Sequence, residues 1–201
     1  MSKSKLLFCG IFLVVFLIST AVAQETETLL GKDTKLGFAL GFDLKVNSIQ
    51  DKTGTLFEFY AGALINPATI IAFAGGMNIG HPEVNYGYLG LLGQYTFKPQ
   101  KMIHFSAQLL LGIGSTKDYE RPKSSVFDNY GNISGPGFYL IEPAVNVELN
   151  LSVKARLFLG LGYRMVSGLD EDHELIQTTG VTNKDLSGLN VLFGVKFARY
   201  E

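Results

Sequence analysis

The chain has 201 residues, 47% of them hydrophobic and 17% charged, with 23 glycines, no tryptophan and a net charge of −1. Charged residues make up about a quarter of an ordinary soluble domain, so this chain is poor in them, and its near-neutral balance speaks against nucleic acid as a partner. The length suits one domain or one closed barrel.

Residues 1–23 read as a cleaved signal peptide. Lys3 and Lys5 precede the apolar run 6–18, and Ala21-Val22-Ala23 has the small-x-small spacing of a cleavage site. The run is too short for a spanning helix, which needs about 20 apolar residues. Cys9, the one cysteine, lies inside that run and is expected to leave with it. Without Lys3 and Lys5 the 17 basic residues become 15, against 18 acidic ones, a net charge of −3. An exported chain without disulfides must close its fold by hydrogen bonds and burial. Residues 24–34 are expected to form a short periplasmic segment, and 35–201 the folded domain.

Eight segments then alternate with period 2, the pattern of a strand with two unlike faces. In 35–46, Leu36, Phe38, Leu40, Phe42, Leu44 and Val46 oppose Lys35, Gly37, Ala39, Gly41, Asp43 and Lys45. In 55–65, Phe57, Phe59 and Ile65 oppose Glu58, Tyr60 and Gly62. In 69–80, Ile71, Phe73 and Met77 oppose Ala72, Ala74 and Gly76. The same holds in 86–97 (Leu89, Leu91, Tyr95 and Phe97 against Tyr86, Tyr88 and Gln94) and in 102–114 (Phe105, Leu109 and Leu111 against His104, Ser106 and Gln108). Segments 138–149, 153–166 and 187–199 complete the set. Their polar faces hold Glu142 and Glu148, then Lys154, Arg156 and Arg164, then Asn190 and Lys196. No segment shows a helical period.

The connections alternate in length. Asn66-Pro67-Ala68, Lys98-Pro99-Gln100-Lys101 and 150–152 are tight turns. The others, about 47–54, 81–85, 115–137 and 167–186, are longer, and the last two are rich in Ser, Asp, Asn and Gly. Short turns on one side and long loops on the other are the habit of bacterial outer-membrane barrels.

The sign of the faces follows from three features. The non-apolar face is rich in small residues such as Gly41, Gly62, Gly76, Gly112, Gly160 and Gly194, which suit the narrow interior of an eight-stranded barrel. The apolar stripe is complete on every segment. Leu36 to Val46 spans ten steps, roughly 33 Å of strand, which at a tilt of about 40° gives a band of roughly 25 Å, the height of an outer-membrane apolar belt. The expected fold is therefore an all-β, eight-stranded antiparallel up-and-down transmembrane barrel. It is apolar outside, with both ends on the periplasmic side. Phe57, Tyr95 and Phe97 are candidates for its aromatic girdles.

The lumen then holds Lys35, Asp43, Lys45, Glu58, Glu142, Glu148, Lys154, Arg156, Arg164 and Lys196. Isolated charges in so narrow a space are unfavourable, so pairing is expected: Glu148 with Lys154 or Arg156 across the turn at 150–152, Glu142 with Arg164, and Asp43 with Lys196 where strand 8 meets strand 1. The pairs read as a polar plug that fixes register; a gated ion path is the alternative.

The signal ending in Ala21-Val22-Ala23-Gln24, the stretch LFLGLGYRM at 157–165 and the terminal LSGLNVLFGVKFARY at 186–200 resemble the small eight-stranded outer-membrane barrels of the OmpA/OmpX type, and more closely the outer-membrane β-barrel domain proteins common in Bacteroidota. The final strand of this group carries alternating aromatics that the barrel assembly machinery reads; here Phe193, Val195 and Phe197 alternate and the chain ends in Tyr200-Glu201. The resemblance implies an outer-membrane location in a Gram-negative bacterium. Its implied partners are outer-membrane lipid, lipopolysaccharide and the assembly machinery, with no cofactor and a monomer as the expected state.

Two local features hint at chemistry. His104-Phe105-Ser106 places a His beside a Ser and resembles the His-x-Ser pair of lipid A deacylases, but both residues fall on the inner face and a polar lumen role is favoured. Asp170-Glu171-Asp172-His173-Glu174, taken with Lys184 and Asp185, is a loop with five carboxylates against one lysine, net −4. It lacks the spacing of a calcium loop, and no metal site is expected. The favoured function is a non-enzymatic outer-membrane protein, structural or surface-interacting through its long loops. A narrow pore or carrier for small or apolar solutes is the first alternative, and a lipid A-modifying enzyme the second.

Overall fold

A computed structural model describes residues 34–49, 52–80, 85–117, 136–170 and 180–200. The proposed signal peptide lies outside the described residues, as do most of the two longest loops and residues 171–174 of the acidic run.

Eight strands follow in chain order: β1 Leu36–Ile49, β2 Lys52–Ile65, β3 Thr69–Asn78, β4 Asn85–Phe97, β5 Ile103–Lys117, β6 Gly137–Ser152, β7 Ala155–Ser167 and β8 Gly188–Ala198. Each pairs antiparallel with its neighbour, and β1 pairs with β8, so the sheet closes as a barrel. Closure leaves no unpaired strand edge, the condition for a sheet that sits in hydrocarbon.

The alternation in the sequence is the alternation of the wall. Leu36, Phe73, Leu89, Phe105, Ile113, Val145 and Leu189 are all more than half exposed on the outside. Asp43, Lys45, Glu58, Glu142, Glu148, Arg156, Arg164 and Lys196 are buried within. This is the reverse of a water-soluble barrel, where charges face solvent and Leu or Phe fill the core. Phe42 packs on Phe59 with centroids 5.2 Å apart, and Tyr95 meets Phe97 edge-on at 5.0 Å, both on the outer surface.

Several boundaries differ from expectation. The turn placed at 150–152 lies at Val153-Lys154, and β6 runs on to Ser152 through an irregularity between Asn150 and Ser152. Ser152 Oγ accepts from the Lys154 backbone N–H at 3.1 Å, which tightens the turn. The loop after β7 contains one helical turn, α1 Asn183–Leu186, where no helix was expected. Thr182 caps it, its hydroxyl accepting from the Asp185 N–H while the Asp185 carboxylate accepts from the Thr182 N–H. Pro143, outward-facing in mid-β6, has no N–H for the ladder. The β6–β7 register is unbridged between Ile141↔Met165 and Ala144↔Gly162.

Candidate functional site

The interior is the chemically distinctive part of the molecule. Alternation puts every second residue of each strand into it, and the barrel's curvature then brings together groups far apart in sequence.

One cluster gathers in the half of the bore nearer the long loops. Lys45 Nζ on β1 donates to Glu58 Oε2 at 2.9 Å and to Glu142 Oε1 at 2.5 Å. The Tyr88 hydroxyl donates to the same Glu58 carboxylate. Arg164 Nε donates to Glu142 Oε2 at 2.7 Å, and its Nη1 to the Tyr86 hydroxyl at 2.7 Å. Asn190 Nδ2 adds a third donor to Glu142, at 3.0 Å. Glu142 is thus held by donors from β1, β7 and β8, each a charge-assisted or buried bond.

A second cluster lies toward the short turns, around Glu148. Lys196 Nζ and Gln94 Nε2 donate to its Oε1, the latter at 3.0 Å. His104 Nε2 stands 3.0 Å from Oε2, and Arg156 Nη1 3.7 Å from the same oxygen. His104 Nδ1 lies 2.9 Å from the Lys101 carbonyl. Arg156 closes the mouth: its Nε donates to Asn150 Oδ1 at 2.7 Å, its Nη2 to the Pro99 carbonyl at 3.3 Å, and its guanidinium lies 3.5 Å from the centre of the Tyr200 ring. Between the clusters, Asn146 donates to Ser106 and Gln108.

Of the residues placed in the lumen from sequence, eight line it: four cations (Lys45, Arg156, Arg164, Lys196) and four carboxylates (Asp43, Glu58, Glu142, Glu148). Lys35 does not. It precedes β1 and is exposed, because the strand begins one residue later. Lys154 is exposed too, since it occupies the shifted turn instead of β7, and it is not the partner of Glu148. Glu142 does pair with Arg164. Asp43 does not pair with Lys196, which reaches Glu148; it faces Glu58 across the β1–β2 pair. His104, Gln94, Tyr86, Tyr88 and Asn190 are full members of the network, though the sequence pattern marked them only as inward-facing.

His104 and Ser106 are 3% and 2% exposed. Both side chains lie inside the bore, away from an acyl chain on the outer surface. Among the described residues no group of three or more His, Cys, Asp or Glu is arranged to hold a metal ion.

No protein-family model matches the sequence, and no curated protein does. Solved structures do. Neisserial surface protein A aligns over 85% of this chain and all of its own length, with a TM-score of 0.54 at 10% identity. The fold is that of a small outer-membrane barrel. The attachment invasion locus protein Ail of Yersinia pestis, solved with the heparin analogue sucrose octasulfate, aligns over 81% of this chain and 97% of its own (TM-score 0.45, 13% identity). OprG from Pseudomonas aeruginosa aligns over 87% of this chain and all of its own (TM-score 0.38, 9% identity).

Proposed function

We propose that this barrel is a non-enzymatic outer-membrane protein of a Gram-negative bacterium, exported by its first 23 residues. In this reading its short turns face the periplasm and its long loops face outward. Its bore is a structural plug and its work is done at its surfaces: the outer wall against lipid and the long loops against external partners. The carrying observation is the filling of the bore. Arg156, Arg164, Tyr60, Tyr86, Lys45 and Lys196 are the largest fully buried side chains, each 1% exposed or less, and they come from five different strands. Side chains of this size in an eight-stranded bore leave little room for a solute to follow, which weighs against the pore reading. A plug of bonded pairs also suits the burial rule that charges enter low dielectric only when compensated. Lipopolysaccharide and the assembly machinery are the expected partners at the outer leaflet and during insertion.

The test uses the full chain expressed in a Gram-negative host. The protein should fractionate with the outer membrane and migrate differently in a detergent gel before and after boiling. In vesicles it should leave the swelling rate in small sugars at the level of empty vesicles, with no single-channel steps. Sugar-dependent swelling would instead establish the narrow pore. Identical migration before and after boiling would remove the membrane reading altogether.

A further inference from the structure

The rim formed by the short turns carries a set of cations that the plug does not use. Lys35, Lys98, Lys101 and Lys154 are exposed, one on the lead into β1, two flanking the β4–β5 turn and one in the β6–β7 turn. Even-stranded antiparallel closure puts all of these at one end of the barrel. No Asp or Glu is exposed at that rim among the described residues, and none of the four ammonium groups meets a carboxylate there. The opposite rim differs. Its described charges, Lys52, Asp170, Lys184 and Asp185, are of mixed sign, and the sequence of its loops over 50–51, 81–84, 118–135 and 171–179 holds eight acidic residues against two basic ones.

The placement is as informative as the sign. Each lysine stands next to an exposed apolar residue at the edge of the outer belt: Lys35 beside Leu36, Lys98 beside Phe97, Lys101 beside Met102 and Lys154 beside Val153. A lysine at that level lays its stem along apolar surface and lifts its ammonium to the depth of lipid phosphates. Lys98 also has a φ of 51°, in the left-handed region that favours Gly or Asn. The turn itself gives no reason for a lysine at that position; a cation at the rim does.

We propose that the short-turn rim is a binding surface for anionic phospholipid headgroups. The apolar belt takes the acyl chains and the four lysines take the phosphates. The proposal rests on the membrane reading above and adds a lipid class and a side to it: anionic lipid in the leaflet that meets the short turns. Each lysine near a charged bilayer surface contributes an attraction that salt screens.

The experiment folds the full chain into vesicles of phosphatidylcholine containing a trace of spin-labelled phosphatidylglycerol or spin-labelled phosphatidylcholine, and measures the motionally restricted fraction of each label. The wild type should prefer phosphatidylglycerol by on the order of threefold to tenfold at low salt, and less at 0.5 M salt, roughly where the screening length falls below 5 Å. Combining Lys35→Gln, Lys98→Asn, Lys101→Gln and Lys154→Gln should bring the ratio near one, whereas Lys52→Gln with Lys184→Gln at the other rim should leave it unchanged. A wild-type ratio of one, or a preference that survives the four substitutions, overturns the proposal. So does binding to purified cell-wall polymer that depends on the same lysines without any lipid preference. Boiled and unboiled samples of the same vesicles separate the two readings: an inserted barrel without preference loses only this proposal, and a chain that never inserts loses both.

Discussion

The ring of Tyr60 on β2 lies across Gly41, its register partner on β1, so closely that a Cβ built on Gly41 would stand 2.2 Å from Tyr60 Cζ. The relationship recurs in every other hairpin. Tyr88 covers Gly76 between β3 and β4, Phe138 covers Gly114 between β5 and β6, and Phe158 covers Gly194 between β7 and β8, with the nearest ring atoms 2.3–2.5 Å from the built Cβ. A ring that lies along the wall covers the glycine backbone and leaves the axis to the ion pairs. Pairing large with small is how a narrow interior reaches native density without strain.

Replacing the small member should therefore be expensive even though a strand ordinarily gains from losing a glycine. Gly41→Val and Gly76→Val are each expected to destabilise the barrel by about 1–3 kcal/mol, the usual range for overpacking. Gly93 provides the contrast, because a Cβ there meets nothing within 4 Å. Gly93→Ala should stay within about 0.5 kcal/mol of the parent. Urea titration of the folded, heat-modifiable band reads both, and equal midpoints for Gly41→Val and Gly93→Ala would show that the ring does not set the glycine.

Glu142 is the second place where one residue carries many. It accepts from Lys45, Arg164 and Asn190. Glu142→Ala leaves Arg164 buried with the Tyr86 hydroxyl as its remaining acceptor, while Lys45 keeps Glu58. The loss should be about 3–5 kcal/mol, the cost of an uncompensated buried charge. Replacing both partners, Glu142→Met with Arg164→Met, should cost less than Glu142→Ala alone, because no charge is stranded. A double-mutant cycle in urea checks this; additive losses would mean that the pair is not coupled.

How much of this was legible in the sequence divides along a physical line. Period 2 states which face a residue occupies, so all eight strands and the burial of Asp43, Lys45, Glu58 and Lys196 could be read from alternation. It does not state which residues across the bore meet. That depends on the tilt and stagger of the closed sheet, so Lys196 reaching Glu148 and not Asp43 had no local signature. The exposure of Lys35 and Lys154 is not legible from alternation, because one residue at a strand end decides between wall and turn. The turn at Val153-Lys154 was displaced from Asn150, whose polar side chain reads as a turn residue but here donates to the Pro99 and Lys101 carbonyls. The helical turn at Asn183–Leu186 did have a readable signal, Thr182 three residues before Asp185, too short to compete with a loop-rich background.

His104 and Ser106 separate the plug from catalysis. His104 bonds Glu148 and the Lys101 carbonyl, so His104→Ala removes two contacts and should destabilise by about 1–3 kcal/mol. Ser106→Ala removes one acceptor from Asn146, which keeps Gln108, and one of several donors to Glu148, and should cost about 1 kcal/mol. Neither substitution should change the acylation of lipid A in cells that express the protein, read by mass spectrometry of extracted lipid. A deacylated species that disappears with Ser106→Ala would establish the enzyme reading instead.

Tyr200 supplies the pH dependence. It lies beyond the end of β8, its ring stacked on the Arg156 guanidinium and its hydroxyl buried without a hydrogen-bond partner. Burial pushes that hydroxyl well above the ordinary tyrosine value, with Arg156 pulling partly the other way. The folded chain therefore keeps a proton that the unfolded chain releases near pH 10. The stabilisation is complete below that pH and is lost as pH rises above it. Between pH 9 and pH 11 the wild type should lose about 1 kcal/mol more than Tyr200→Phe, which keeps the ring on Arg156 but has no proton to release. Tyr200→Ala should lower stability at every pH by about 0.5–2 kcal/mol through the lost stacking. Urea midpoints of the three chains at pH 8, 9, 10 and 11 measure both effects. Parallel curves for the wild type and Tyr200→Phe would show that Tyr200 is not held protonated in the folded barrel.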